Sequence, residues 1–439
     1  MNSEFLRPWR PSAGEWKRAA VMHLVRRAGF GATPEQLERG LSQGLESTLA
    51  ELFEDRSDPA LRQAVRPLLG AESLELLQAW WMSLILEGGA PLRERMTLVW
   101  HDLFATSNDK VDDVRLMHGQ NELFRSSGLG DFRSLLHGVA RDPAMLLWLD
   151  GDSNRRGHAN ENFAREVMEL FALGIGHYTE DDIRSAGRAF TGWGTEGRAF
   201  VLRPQHHDPD SKTIFGHTGN WDGDQVIDLI LEQPACARHV AQTLLEAFVA
   251  PGPEPEWIEA TAALLVASDW NVGRTLETLL ASELFFSPRA RRARIAGPVE
   301  LLAVATRTLG AHVPPKLAAR LASEMGQALF RPPSVKGWDG GRSWINAGSW
   351  IARHNALVRL AQAQHEPQDG IEVDLAGAFA QPASSANLPE LVTRTLLPDL
   401  EPARLAPTLA RVASDASDLD RNLAATTALV LTSPEYQLF

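Results

Sequence analysis

The sequence predicts a mainly α fold, a multi-helix orthogonal array with a small β-ribbon or loop excursion near residues 191–222. Three observations carry that reading. Apolar residues recur at helical spacing along most of the chain, Gly and Pro interrupt those stretches at helix-length intervals, and strand signals are few. Of 439 residues, 44% are hydrophobic and 23% charged, which suits a chain that buries a core and argues against disordered, collagen-like or coiled-coil classes.

The elements follow in order. A helix over 15–28 leads to Thr33-Pro34-Glu35-Gln36, where Thr caps, Pro takes the first turn and Gln sits three residues after the cap; this second helix ends before Gly44. Periodicity then predicts helices over 73–88, 91–106, 111–127, 131–139, 160–173 and 179–190. The one strong strand signal is Arg198–Arg203, expected to pair with a segment near Thr213-Ile214-Phe215. Helices resume at 224–232, 234–250, 255–267, 272–283, 296–309, 315–328 and 349–364, and after them at 388–396, 403–413 and 419–432. The weakly periodic stretch 365–387 reads as a linker, giving a main helical domain over 1–364 and C-terminal helices over 388–439 packed on it. Two stretches, LLASELFFSPRA (279–290) and ALVLTSPEYQ (428–437), look like helix ends of similar design.

Composition excludes several functions. The net charge of −13 offers no general field for nucleic acid or anionic lipid. A single cysteine, Cys236, rules out an internal disulfide and a Cys-rich metal site, and its apolar setting suggests a buried side chain. No apolar run approaches membrane-helix length and no leader pattern opens the chain, so the expectation is a soluble protein, cytoplasmic as written, and periplasmic or exported if a leader was removed. HExxH, GxSxG, GxxxxGK[ST] and a strand-linked GxGxxG are all missing.

The segment 158–193 is the densest in chemistry. Asn160 suits a helix cap, Gly174 and Gly176 a stop, and Thr179 with Asp182 a new start. At about 100° per residue, Asn162, Arg165, Glu166 and Glu169 share one polar stripe. Glu166 and Glu169, one turn apart, suit an acid/base pair, a divalent cation, or ion pairs with Arg165, Arg184 or Arg188. A second group, His206-His207-Asp208 with Lys212, offers a ligand or a base oriented by a carboxylate. His101-Asp102 repeats the dipeptide, and His101, Glu166, Glu169 and His207 together carry the N and O donors of a site for one divalent metal ion. Thirteen tryptophans against two tyrosines are mostly core material, although Trp338 and Trp344, in the Pro- and Gly-rich loop 330–348, suit stacking on sugar rings.

Asn160-Glu161-Asn162-Phe163-Ala164-Arg165-Glu166, Glu169-Leu170-Phe171, Leu173-Gly174-Ile175-Gly176 and Arg188-Ala189-Phe190-Thr191-Gly192-Trp193 resemble the signature of a bacterial family catalogued as domain of unknown function eighteen-hundred. His23-Leu24 with Arg26–Gly31, Trp100-His101, His207-Asp208 with Lys212, and Lys336-Gly337-Trp338 with Trp344-Ile345 extend the resemblance from about residue 20 to the chain's end. The resemblance implies a mainly helical protein of no established reaction. It also implies a protein partner, since many members are exported and are encoded beside a sulfatase-like family. Phe171 stands where some members carry His.

Two functions are weighed on these residues. In the first, an enzyme acts on a polar, carbohydrate-like small molecule or glycan, as a metal-dependent hydrolase or oxidoreductase. Its catalytic groups are Glu166, Glu169, His207 and Asp208, and its substrate groups Asn160, Asn162, Arg165, Arg188, Trp193 and Lys212. In the second, a non-catalytic binding or assembly protein uses the same residues as a structural network, with Glu166 paired to Arg188 and Glu169 to Arg165.

Overall fold

Proline opens helix after helix. Pro34, Pro59, Pro91, Pro143, Pro234, Pro255, Pro298 and Pro315 each stand in a first turn, where the missing N–H costs nothing and φ is already helical. Side-chain caps complete many starts, among them the Thr33–Gln36 and Thr179–Asp182 capping boxes. The computed structural model describes residues 4–12, 14–364, 369–379, 387–409 and 418–439. These are mainly α, with two small two-stranded sheets. None of the described helices is long and apolar enough to cross a membrane.

The helices fill two large apolar bodies. The first gathers Trp100, Phe104, Phe124, Phe132, Phe171, Phe190, Phe248 and Phe285; the second gathers Trp81, Leu302, Val304, Leu360, Leu396, Val430 and Tyr436. The Pro91–Leu103 helix serves both, sending Met96 and Trp100 to the first and Leu98 to the second. The Arg18–Gly29 helix ties distant segments together through His23 to the Phe285 carbonyl, Arg26 to that of Leu396, and Arg27 to those of Val249 and Ala290. The two look-alike helix ends are built alike, since Ser282 and Ser433 each donate back to the preceding turn and accept from the backbone N–H three residues on, that of Phe285 or Tyr436.

Several boundaries depart from the sequence reading. The strand Ala199–Leu202 does not pair with 213–215: it folds back on Trp193–Glu196, while Lys212–Ile214 pairs with His217–Gly219. Local closure wins because Gly197, at φ 61°, and Phe215-Gly216, at φ 50° and 79°, supply the positive dihedrals that tight hairpin turns require. The stretch 160–173 is not one α-helix; Asn162–Glu166 is α, and Val167–Ala172 widens into a π turn closed by Leu173 N–H to the Met168 carbonyl. The helix expected over 403–413 is described as Ala406–Leu409, with 410–413 outside the described residues. Within 365–387 the described part, 369–379, pairs Glu372 with His312 through backbone bonds and buries Ile371, Leu375 and Phe379. Leu419–Leu431 packs on Ala347–Gln362 and on Leu388–Leu396.

Candidate functional site

The residues singled out between 160 and 212 separate into three small networks. Asn160 and Asn162 tie the helix start to the preceding loop, donating to the Asp150 and Leu149 carbonyls at 2.9 and 3.2 Å. Arg165 makes a bidentate pair with Glu180, both contacts at 2.8 Å, and Glu169 accepts from the Tyr178 hydroxyl at 2.6 Å. Arg188 clasps Asp208 at 2.7 and 3.3 Å, and this hydrogen bond, opposed by partial burial, holds the Asp208 carboxyl below its usual range. Lys212, 2% exposed, donates to the Asp208 and Asp210 carbonyls; burial lowers its pKa. His207 Nδ1 lies 3.0 Å from the Thr191 carbonyl oxygen, beside Trp193, which is packed against Phe190 and Phe200.

The pairings anticipated for a structural network, Glu166 with Arg188 and Glu169 with Arg165, are therefore replaced by Arg188–Asp208 and Arg165–Glu180. Glu166 alone keeps neither hydrogen bond nor ion pair among the described residues, and partial burial, with Glu169 nearby, raises its pKa. The π turn accounts for part of this, because Glu169 lies beyond the point where 100° spacing holds. His101 is buried, 1% exposed, and its Nε2 accepts the Phe330 N–H at 3.0 Å. Among the described residues no group of three or more His, Cys, Asp or Glu is placed to hold a metal ion.

The residue next to His101 lies on a different feature. Asp102, at the end of the Pro91–Leu103 helix, lines a cleft of about 410 Å³ with Arg95, Glu246, Arg294, Glu300, Trp338 and Trp344. Asp102 Oδ1 accepts the Trp338 backbone N–H at 2.9 Å. Gly337 makes that approach feasible: its φ is 80°, and an added Cβ would overlap Asp102 Oδ1 and the Asp102 carbonyl. Burial lifts the Asp102 carboxyl to about 6 against the pull of its backbone hydrogen bond and of Arg294 and Arg95. Glu300 goes the other way. Burial would raise it, but Arg294 and Arg95, at 3.1 and 2.6 Å, bring it to about 2. One acid is thus set near neutrality and another kept ionised in the same cleft, the arrangement that separates acid and base roles.

The match to known families settles membership. The model for a family described as "Protein of unknown function (DUF1800)" matches residues 23–438. The chain belongs to this family. No curated protein and no solved structure matches it. Its motif residues now have places: 160–176 and 188–193 build the paired networks, whereas Trp100-His101 and Lys336-Gly337-Trp338 bring Asp102 and the Trp338 N–H together. Arg95, Arg294 and Glu300 were not among the candidate residues of the sequence, and Asp102 was named there only as half of the His101-Asp102 dipeptide. The signal available was the second His-Asp dipeptide, which reads no differently from chance until residues some 236 positions apart are seen in contact.

Proposed function

We propose that the protein is an enzyme that binds a polar, carbohydrate-like molecule in the Asp102 cleft and acts on it by general acid/base chemistry. The observation carrying this is Asp102 itself, a half-buried carboxyl near neutrality that opens on a cleft with two tryptophans. An acid with a pKa close to the working pH transfers protons in both directions, and an indole gives the apolar face of a sugar ring a surface to stack on. Glu300, kept ionised by its arginines, supplies fixed charge and orientation. The networks around Asn160, Arg165, Arg188, Asp208 and Lys212 serve in this reading as framework, since their polar groups are already spent on one another.

Asp102→Asn tests the proposal, because the amide oxygen can still accept the Trp338 N–H. Screened on aryl glycosides and natural oligosaccharides, the variant should lose about 10²- to 10⁴-fold in turnover of whatever the parent cleaves, with no loss in its melting temperature. Full turnover in Asp102→Asn would show that the acid lies elsewhere.

A further inference from the structure

A small basic pocket lies where the Arg18–Gly29 helix meets the last part of the chain. Arg26 reaches it from that helix, Arg291 and Arg292 from the stretch after Phe286, and Asp399 from the loop after Leu388–Leu396, with Phe439 closing one side. Three guanidiniums therefore face one carboxylate, and they still face only two when the carboxylate of Phe439 itself is counted. The contacts inside do not cancel this excess. Arg292 reaches Asp399 only at 3.9 Å and spends its hydrogen bond on the Glu435 carbonyl at 2.8 Å. Arg291 donates to the Phe286 carbonyl at 3.2 Å and Arg26 to the Leu396 carbonyl at 2.5 Å, and neither has an ion pair among the described residues. Arg26 is the most constrained of the three: it is 7% exposed, and its Nε is buried with no hydrogen-bond partner. The rings of Tyr436 and Phe439, 5.2 and 5.4 Å away, give it π faces but no counter-ion. Arg292 is held at φ 54°, a left-handed backbone that a residue with a side chain adopts only where its surroundings require it. His23, on the same wall, stays neutral, pushed down to about 3 by burial and by Arg27, Arg291 and Arg26.

Buried guanidiniums without counter-charges are costly, and an anion placed among them lowers that cost. We infer that this pocket is the seat of one small inorganic anion, a halide of chloride's size, held by Arg26, Arg291 and Arg292. Size selects the occupant. At about 20 Å³ the pocket has room for one body of roughly a water's dimensions, which chloride suits and a tetrahedral sulfate or phosphate exceeds. Position gives the ion its role. Its three arginines belong to the first helix and to the middle of the chain, while their other contacts run to Leu396, Glu435 and the ring of Phe439. The anion thus fastens the C-terminal helices to the body that precedes them. The pocket shares no lining residue with the Asp102 cleft, so the inference stands apart from the acid/base reading.

The test is thermal unfolding of the full chain while sodium chloride replaces sodium gluconate at constant ionic strength, gluconate being too large for the pocket. The midpoint of the parent should rise by about 2 °C or more as chloride reaches about 200 mM, and the rise should saturate. Arg291→Gln, at a half-buried position, should raise the chloride needed for half the effect by about tenfold, the scale of one charge-assisted hydrogen bond, and Arg26→Met should do the same. Asp399→Asn removes the nearest side-chain carboxylate and should lower that concentration several-fold, so the test survives even where Arg26→Met does not fold. A parent midpoint indifferent to chloride would overturn the inference. So would the same rise at the same chloride concentration in the parent, Arg291→Gln and Asp399→Asn, which is a general salt effect only. A saturating rise that depends on Arg291 but is given by sulfate and not by chloride overturns it as well, because the pocket would then admit the larger ion.

Discussion

Asp102 and Glu300 show how one cleft drives two carboxyls apart. Asp102 is raised from 3.8 to about 6, so the fold favours its protonated form; the stability this group allows is present below about pH 4 and is lost as pH rises to about 6. Glu300 is depressed from 4.5 to about 2, so its contribution stands above pH 4.5 and is lost as pH falls toward 2. Asp102→Asn should consequently be more stable than the parent above pH 6, by up to about 3 kcal/mol, and level with it near pH 4. Denaturant unfolding at pH 4 and pH 8 measures this, and a variant weaker at pH 8 would mean that the ionised form is well compensated. Such residue-scale facts were only partly legible. The sequence marked Glu169, Asp208 and Arg165 as chemically rich, which they are, but the groups that satisfy them, Tyr178, Arg188 and Glu180, are known only once the helices are folded together.

At the scale of elements, punctuation was the legible part. Thr33 and Thr179 cap as read, Gly44 breaks the helical path at φ 85° although the helix does not end there and runs on to Phe53, and Ser282 and Ser433 end their helices with the same bonds. Periodicity missed the π turn at Val167–Ala172, because an extra residue in a turn leaves no mark in an apolar pattern. It also missed the local hairpins, decided by Gly197 and Gly216 rather than by strand propensity. The loop bearing Gly337 and Trp338 works by backbone geometry, and Gly337→Ala isolates that. It should cost about 1–3 kcal/mol and reduce cleft binding, since the new Cβ meets both φ strain and Asp102. Gly341, at φ 52° with open space where a Cβ would go, is the control; Gly341→Ala should cost about 1 kcal/mol and leave binding intact.

For the molecule as a whole, the cleft lies on the seam between the two apolar bodies. Val99 and the Pro234–Phe248 helix reach it from the first, Leu98 and the Pro298–Thr308 helix from the second. Sites are common at such seams, where two packed bodies leave a crevice neither could form alone. No periodicity reveals a seam, which is why the fold class could be read from the sequence while the cleft could not. The chain's last residues belong to this construction. Phe439 exchanges backbone hydrogen bonds with Arg294, and its ring packs edge-on to Tyr436 and beneath Arg26. Phe439→Ala should cost about 3 kcal/mol by guanidinium denaturation, in one transition reported alike by tryptophan emission and circular dichroism; two transitions would mean that the bodies unfold independently. Cys236, fully buried with its thiol pushed up by burial, has a use at this scale as well. As the chain's one thiol, it leaves the surface silent to maleimides and iodoacetamides. A cysteine placed at exposed Ser343, in the short Gly341–Trp344 turn on the cleft's rim, would then take a spin label or fluorophore by itself and report on ligand entry without any other sulfhydryl being removed.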